Sequence, residues 1–133
     1  MSSFRPSPFL RKVLAIDAVA SGATGALVLF GAGFLADWLG LPAALLRGAG
    51  LVLAPYVAYV AWLASRREVT AAAVWLVMAA NAAWTAASLI LLVSGWVAPT
   101  ALGYAFVIGQ AVVVAGLGEC QYVGLRRPAA AAA

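Results

Sequence analysis

Asp17, Ser21 and Thr24 stand at i, i+4 and i+7, so a helix presents one carboxyl and two hydroxyls on a single face. Asn81, Thr85 and Ser88 repeat the spacing with an amide in place of the acid. In an aqueous protein such faces would be unremarkable. In an apolar segment each polar group carries a desolvation cost, and the chemistry open to it is proton or cation coupling, hydrogen bonding to a ligand, or a seam between helices. Gln110 adds a second amide, and Glu119 is the second acid in an apolar stretch. Tyr56 and Tyr59 follow Pro55, which removes a backbone bond and is expected to bend its helix beside the two hydroxyls.

Other chemistries lack their residues. The chain has no histidine and a single cysteine, Cys120. Zinc, iron–sulfur and histidine-ligated haem centres therefore have no ligand set, and Ser/His/Asp or Cys/His catalysis has no base. Ligand or ion-pathway candidates are Asp17, Ser21, Thr24, Tyr56, Asn81, Thr85, Gln110 and Glu119. No catalytic residue, metal ligand or cofactor is expected.

The elements that position these residues follow from composition. Of 133 residues, 66% are hydrophobic and 9% charged, too apolar for a water-soluble fold. Crossing about 30 Å of hydrocarbon takes about 20 apolar residues as a helix, which satisfies its own backbone groups. Segments of that kind run near Val13 to Leu35, Ala44 to Ala64, Ala71 to Val93 and Thr100 to Tyr122. The expected fold is all-α and strand-free, a single transmembrane domain built as an up-down-up-down bundle of four spans. Residues 1–12 are expected on the cytoplasmic side, and 128–133 as a flexible tail.

Basic residues orient the spans. Arg5, Arg11 and Lys12 precede the first, Arg66 and Arg67 separate the second from the third, and Arg126 and Arg127 follow the fourth, leaving Arg47 on the other side. Both termini are thus expected in the cytoplasm. The net charge of +4 reflects this topology, and nucleic acid is not an expected partner. Asp17 interrupts the apolar run of the first span, which continues well beyond it, so the segment is expected to be retained and not cleaved as a signal peptide. On the outer side, Asp37 and Arg47 flank the first turn and are expected to neutralise one another.

The halves echo one another. Asp17 to Thr24 aligns without gaps on Asn81 to Ser88, Gly31 falls over Gly95, and the pairs Arg66-Arg67 and Arg126-Arg127 close each half. Two parallel hairpin repeats about an axis along the membrane normal would produce this pattern. The second span adds a small-residue stripe, Gly50, Ala54 and Ala58, while Gly48, Gly50 and Gly109 are assigned to helix contacts. Counted outwards from Trp96, Asn81 and Gln110 fall at equal depth, so a side-chain clamp between the third and fourth spans is expected. Asp17 and Glu119 lie one turn inside the cytoplasmic boundary, where Arg11, Lys12, Arg66 or Arg126 are expected to form ion pairs with them.

Asp17-Ala18, Ser21-Gly22, Leu39-Gly40-Leu41-Pro42 and the closing run Glu119 to Arg127 resemble small bacterial four-helix inner-membrane proteins of unassigned function. The resemblance implies a multi-pass protein of the bacterial inner membrane and implies no activity. Small multidrug exporters also place an acid in their first helix, but theirs is a glutamate in a different motif, and the fluoride-channel signature is missing. The leading expectation is a non-enzymatic protein that works through helix packing in the lipid bilayer, as a homo-oligomer or an accessory subunit of a larger membrane complex. The alternatives are a small transporter or channel using Asp17 and the mid-membrane polar residues, and a lipid- or quinone-directed enzyme with Glu119 or Asp17 as acid or base.

Overall fold

The computed structural model of the chain describes residues 2–127; the tail expected over 128–133 lies outside the described residues. Helix α1 spans Pro8–Phe30. It starts more than a turn before the expected Val13 because Ser7 accepts a hydrogen bond from the Leu10 amide at 3.1 Å, with Pro8 at the first helical position. That cap outweighs the basic residues Arg11 and Lys12, which are carried on the helix. At the other end α1 stops at Gly31, and a short helix α2, Ala32–Leu39, follows. The first span therefore does not run unbroken to Leu35.

Helix α3, Ala43–Ser65, continues through Pro55. Helices α4, Ala71–Val93, and α5, Ala101–Arg126, begin in the same way as α1: Thr70 caps the Ala73 amide and Thr100 caps the Gly103 amide, each at 3.1 Å. Helices α1, α3, α4 and α5 are each long and apolar enough to cross a membrane. At 23 to 26 residues each rises about 35 to 39 Å. The strand-free expectation needs one correction. Strands β1, Ser3–Phe4, and β2, Val69–Thr70, pair antiparallel with Ser3 opposite Thr70 and Phe4 opposite Val69. They satisfy backbone groups just before α1 and α4, where no helix does so.

Two apolar clusters hold the ends. Leu10, Leu14, Val60, Leu63, Val69, Val74 and Val77 pack at one end; Val28, Ala32, Leu39, Leu41, Leu46 and Val107 pack at the other. Between them α1 and α3 approach closely, since a Cβ on Gly50 would lie 2.7 Å from Leu29 Cβ and 2.8 Å from the Gly25 carbonyl oxygen. The α3 seam is Leu46, Gly50, Leu53, Val60 and Leu63. Ala54 and Ala58 are exposed, so the expected small-residue stripe is buried only at Gly50. A close contact selects small residues where backbones touch, and on α3 that happens once.

A second close approach joins α2 to α5. The Leu39 carbonyl accepts from the Thr100 amide at 3.0 Å, and the Trp38 carbonyl accepts from the Thr100 hydroxyl at 2.6 Å. Gly40 turns the chain there at φ +66°, and a Cβ on Gly103 would sit 1.9 Å from the Leu39 oxygen. Gly48 and Gly109 differ: added Cβ atoms there meet nothing within 4 Å, so neither is a contact glycine as expected. Gly103→Ala should destabilise the protein by about 1–3 kcal/mol through overpacking, whereas Gly109→Ala should stabilise it by up to about 1 kcal/mol. Reversible unfolding in detergent micelles checks both signs.

Candidate functional site

Asp17 sits on α1 between the two clusters, 1% exposed. Its Oδ1 accepts from Ser21 Oγ at 2.8 Å, one helical turn on. Its Oδ2 accepts from Tyr56 Oη on α3 at 2.6 Å, Asn81 Nδ2 on α4 at 3.2 Å and Gln121 Nε2 on α5 at 2.6 Å. Asn81 Nδ2 also donates to Gln121 Oε1 at 2.9 Å, and Tyr56 Oη lies 2.9 Å from Asn81 Oδ1. All four long helices thus supply a group to one carboxyl. Among the described residues no buried side-chain nitrogen or oxygen lacks a partner.

The expected ion pairs at Asp17 are replaced by these neutral donors. Six residues separate Arg11 from Asp17, about 9 Å along the helix axis, and Arg11 Nη1 donates instead to the Ala64 carbonyl at 3.1 Å. Arg126 Nη1 donates to Tyr122 Oη at 2.9 Å. A carboxyl in hydrocarbon must be hydrogen-bonded on every side, and here side chains from the neighbouring helices do so.

The expected Asn81–Gln110 clamp is not formed. Counting outwards from Trp96 treats the tip as helical, but α4 ends at Val93 and α5 starts only at Ala101. With that gap removed, Gln110 comes level with Trp84, about one turn nearer Trp96 than Asn81 is. Gln110 Oε1 accepts from Trp84 Nε1 at 2.8 Å, and its Nε2 donates to Ser88 Oγ at 2.9 Å and to the Val107 carbonyl at 2.8 Å. Thr85 turns back onto its own helix and donates to the Asn81 carbonyl at 2.9 Å.

Gln121 is the site residue that the spacing argument overlooks. A signal for it exists: Gly103, Val107, Ala111, Gln121 and Gly124 are the buried positions of α5, a face of small residues into which one amide intrudes. Glu119, two residues earlier and so about 200° around the helix, is exposed and takes no part.

On the side of this network nearer Trp96 lies a cavity of about 680 Å³. Ser21, Thr24, Tyr56, Asn81 and Gln110, drawn from all four long helices, line it among apolar residues that include Leu53, Trp84 and Phe106. A second cavity of about 550 Å³ shares Thr24, Leu53, Trp84, Phe106 and Gln110 with the first and extends to Leu41 and Trp96. Gly109 lines the first and Gly48 the second, which explains why neither meets a neighbour. Polar groups are gathered towards the Asp17 end and apolar walls continue beyond them. Such a space suits a molecule with an apolar body and one hydrogen-bonding head.

Double-mutant cycles test the register. Asn81→Ala with Gln121→Ala should show a coupling of about 0.6–2 kcal/mol in unfolding free energy. Asn81→Ala with Gln110→Ala should be additive to within about 0.5 kcal/mol, and Glu119→Gln should leave stability unchanged.

No family model, curated protein or solved structure matches the chain, and its function rests on this geometry.

Proposed function

We propose that the chain crosses the bacterial inner membrane four times, up-down-up-down with both termini cytoplasmic, and that it binds a lipid-soluble, amphipathic small molecule for carriage within or across the bilayer. Contacts support the alternation of direction. Arg11, Asp17 and Gly25 on α1 meet Ala64, Tyr56 and Gly50 on α3, so one series rises as the other falls. The network end is also the end that carries seven of the eight basic residues, which supports its placement at the cytoplasmic side.

The observation that carries the binding role is convergence: Ser21, Thr24, Tyr56, Asn81 and Gln110, scattered over 90 positions of sequence, line one cavity. The apolar walls favour an amphipathic ligand over a hydrated ion, whose water they cannot replace. A lipid- or quinone-directed enzyme with Glu119 or Asp17 as acid or base is disfavoured, because neither acid lines the cavity: Asp17 is enclosed by its donors and Glu119 is exposed.

The cavity also reaches the outer surface of the bundle, since Val52, which lines it, is 61% exposed. Tyr56 and Tyr59 hydrogen-bond from α3 to Asn81 and to the Ala73 carbonyl of α4, tying the inner halves together. Val52 and Leu53 of α3 and Trp84 and Ala87 of α4 line both cavities.

Gly109→Trp fills the cavity from a position where packing is open. Protein purified from native membranes should retain an amphipathic molecule detectable by mass spectrometry of the extract, and Gly109→Trp of equal thermal stability should retain less than a tenth as much. Gly109→Ala should retain it. Equal retention by Gly109→Trp and the parent would refute the assignment.

A further inference from the structure

A third cavity, of about 640 Å³, lies at the opposite end of the network from the ligand space, beside the chain's first strand. Arg5, Arg126 and Arg127 line it together with Trp75, Tyr122 and Ala71, the first residue of α4. We infer that this cavity binds the phosphate of an anionic phospholipid of the cytoplasmic leaflet, with the lipid's glycerol and upper acyl chains on the aromatic pair.

The arginines come from opposite ends of the chain, and the fold assembles them. Pairing of Phe4 with Val69 holds Arg5 beside the start of α4, while α5 runs on to Arg126 and brings the basic pair to the same place. Two of the three guanidiniums are held by aromatic rings. Arg126 donates to Tyr122 Oη at 2.9 Å with its guanidinium carbon 5.7 Å from that ring's centroid, and Arg127 sits 5.3 Å from the Phe9 centroid. Stacking fixes a planar fork while leaving N–H groups to meet two phosphate oxygens. Glu68, the acid closest in sequence to β2, accepts from Ser3 Oγ at 3.0 Å. Ala71 adds the positive end of a 23-residue helix.

The site's position favours a lipid over a soluble anion. Trp75 and Tyr122 meet edge to face at 5.8 Å, both on the outside of the bundle, as rings at the headgroup level do. Arg66 and Arg67 share the same side of the membrane but line no part of this cavity, and Arg66 is stacked on Trp62 at 5.2 Å. Basic pockets of this build at the cytoplasmic ends of spans are matched to anionic headgroups.

The inference rests on the orientation proposed above and not on the ligand of the central cavity, whose retention is read separately in the same preparations. The full chain is exchanged into micelles containing phosphatidylglycerol or phosphatidylcholine, and bound lipid is counted by native mass spectrometry. The parent protein should hold one phosphatidylglycerol in at least tenfold preference to phosphatidylcholine. The Arg5→Gln, Arg126→Gln, Arg127→Gln variant should lose that preference while keeping its fold and its central ligand. The Arg66→Gln, Arg67→Gln variant should keep the preference. No selectivity in the parent, or equal loss in both variants, overturns the inference by reducing it to general surface charge. Displacement of phosphatidylglycerol by millimolar inorganic phosphate would assign the site to a soluble anion and overturn the choice of lipid.

Discussion

A carboxyl group buried among apolar helices is the constraint around which the bundle is arranged. Asp17 cannot remain there without donors on both oxygens, and its own helix supplies only Ser21. Tyr56, Asn81 and Gln121 bring the rest from α3, α4 and α5. In lipid the apolar faces of helices gain little by meeting one another, since the solvent is equally apolar. A shared acceptor gives the four helices a specific reason to converge, and its position sets their relative heights. The glycine contacts at Gly25–Gly50 and Gly103–Leu39 then bring the backbones close on one side of that height, and Gly124 against Leu10 does so on the other.

Convergence at one level also leaves space at another. Helices tied at the Asp17 level and again at the Leu39–Thr100 joint are spanned between two fixed points, and the small residues Gly48 and Gly109 do not fill the gap between them. The cavity is thus a by-product of where the ties are, made useful by Thr24, Tyr56 and Gln110 on its walls. The same small residues that allow contact at Gly50 and Gly103 produce vacancy at Gly48 and Gly109. Residue type alone does not separate the two roles.

That ambiguity marks the boundary of what the sequence reveals. Four apolar stretches and the i, i+4, i+7 polar faces are direct consequences of span length and helical periodicity, and the structure bears out an all-helical chain with four span-capable helices. Four lining residues and Asp17 itself come from those faces and from Gln110. Register is another matter. It depends on whether Ser94 to Thr100 rises as helix; counting that segment as helical displaces Gln110 by about a turn and hides Gln121. Local caps are legible in the sequence: Ser7-Pro8 announces the start of α1 as clearly as Thr70 and Thr100 announce α4 and α5. The break at Gly31 and the β1–β2 pair depend on tertiary neighbours that spacing does not disclose.

The distribution of the donors along the chain has a consequence for biogenesis. Ser21 is synthesised with Asp17, Tyr56 and Asn81 follow at intervals, and Gln121 comes last, 104 residues after the acid it binds. A nascent chain that has inserted only its first span holds an acid with one of its four donors, and each later span removes part of that deficit. Completion of the fourth helix closes the set, so a chain truncated ahead of Gln121 would expose its incompleteness to membrane proteases at the very residue on which the finished bundle is centred.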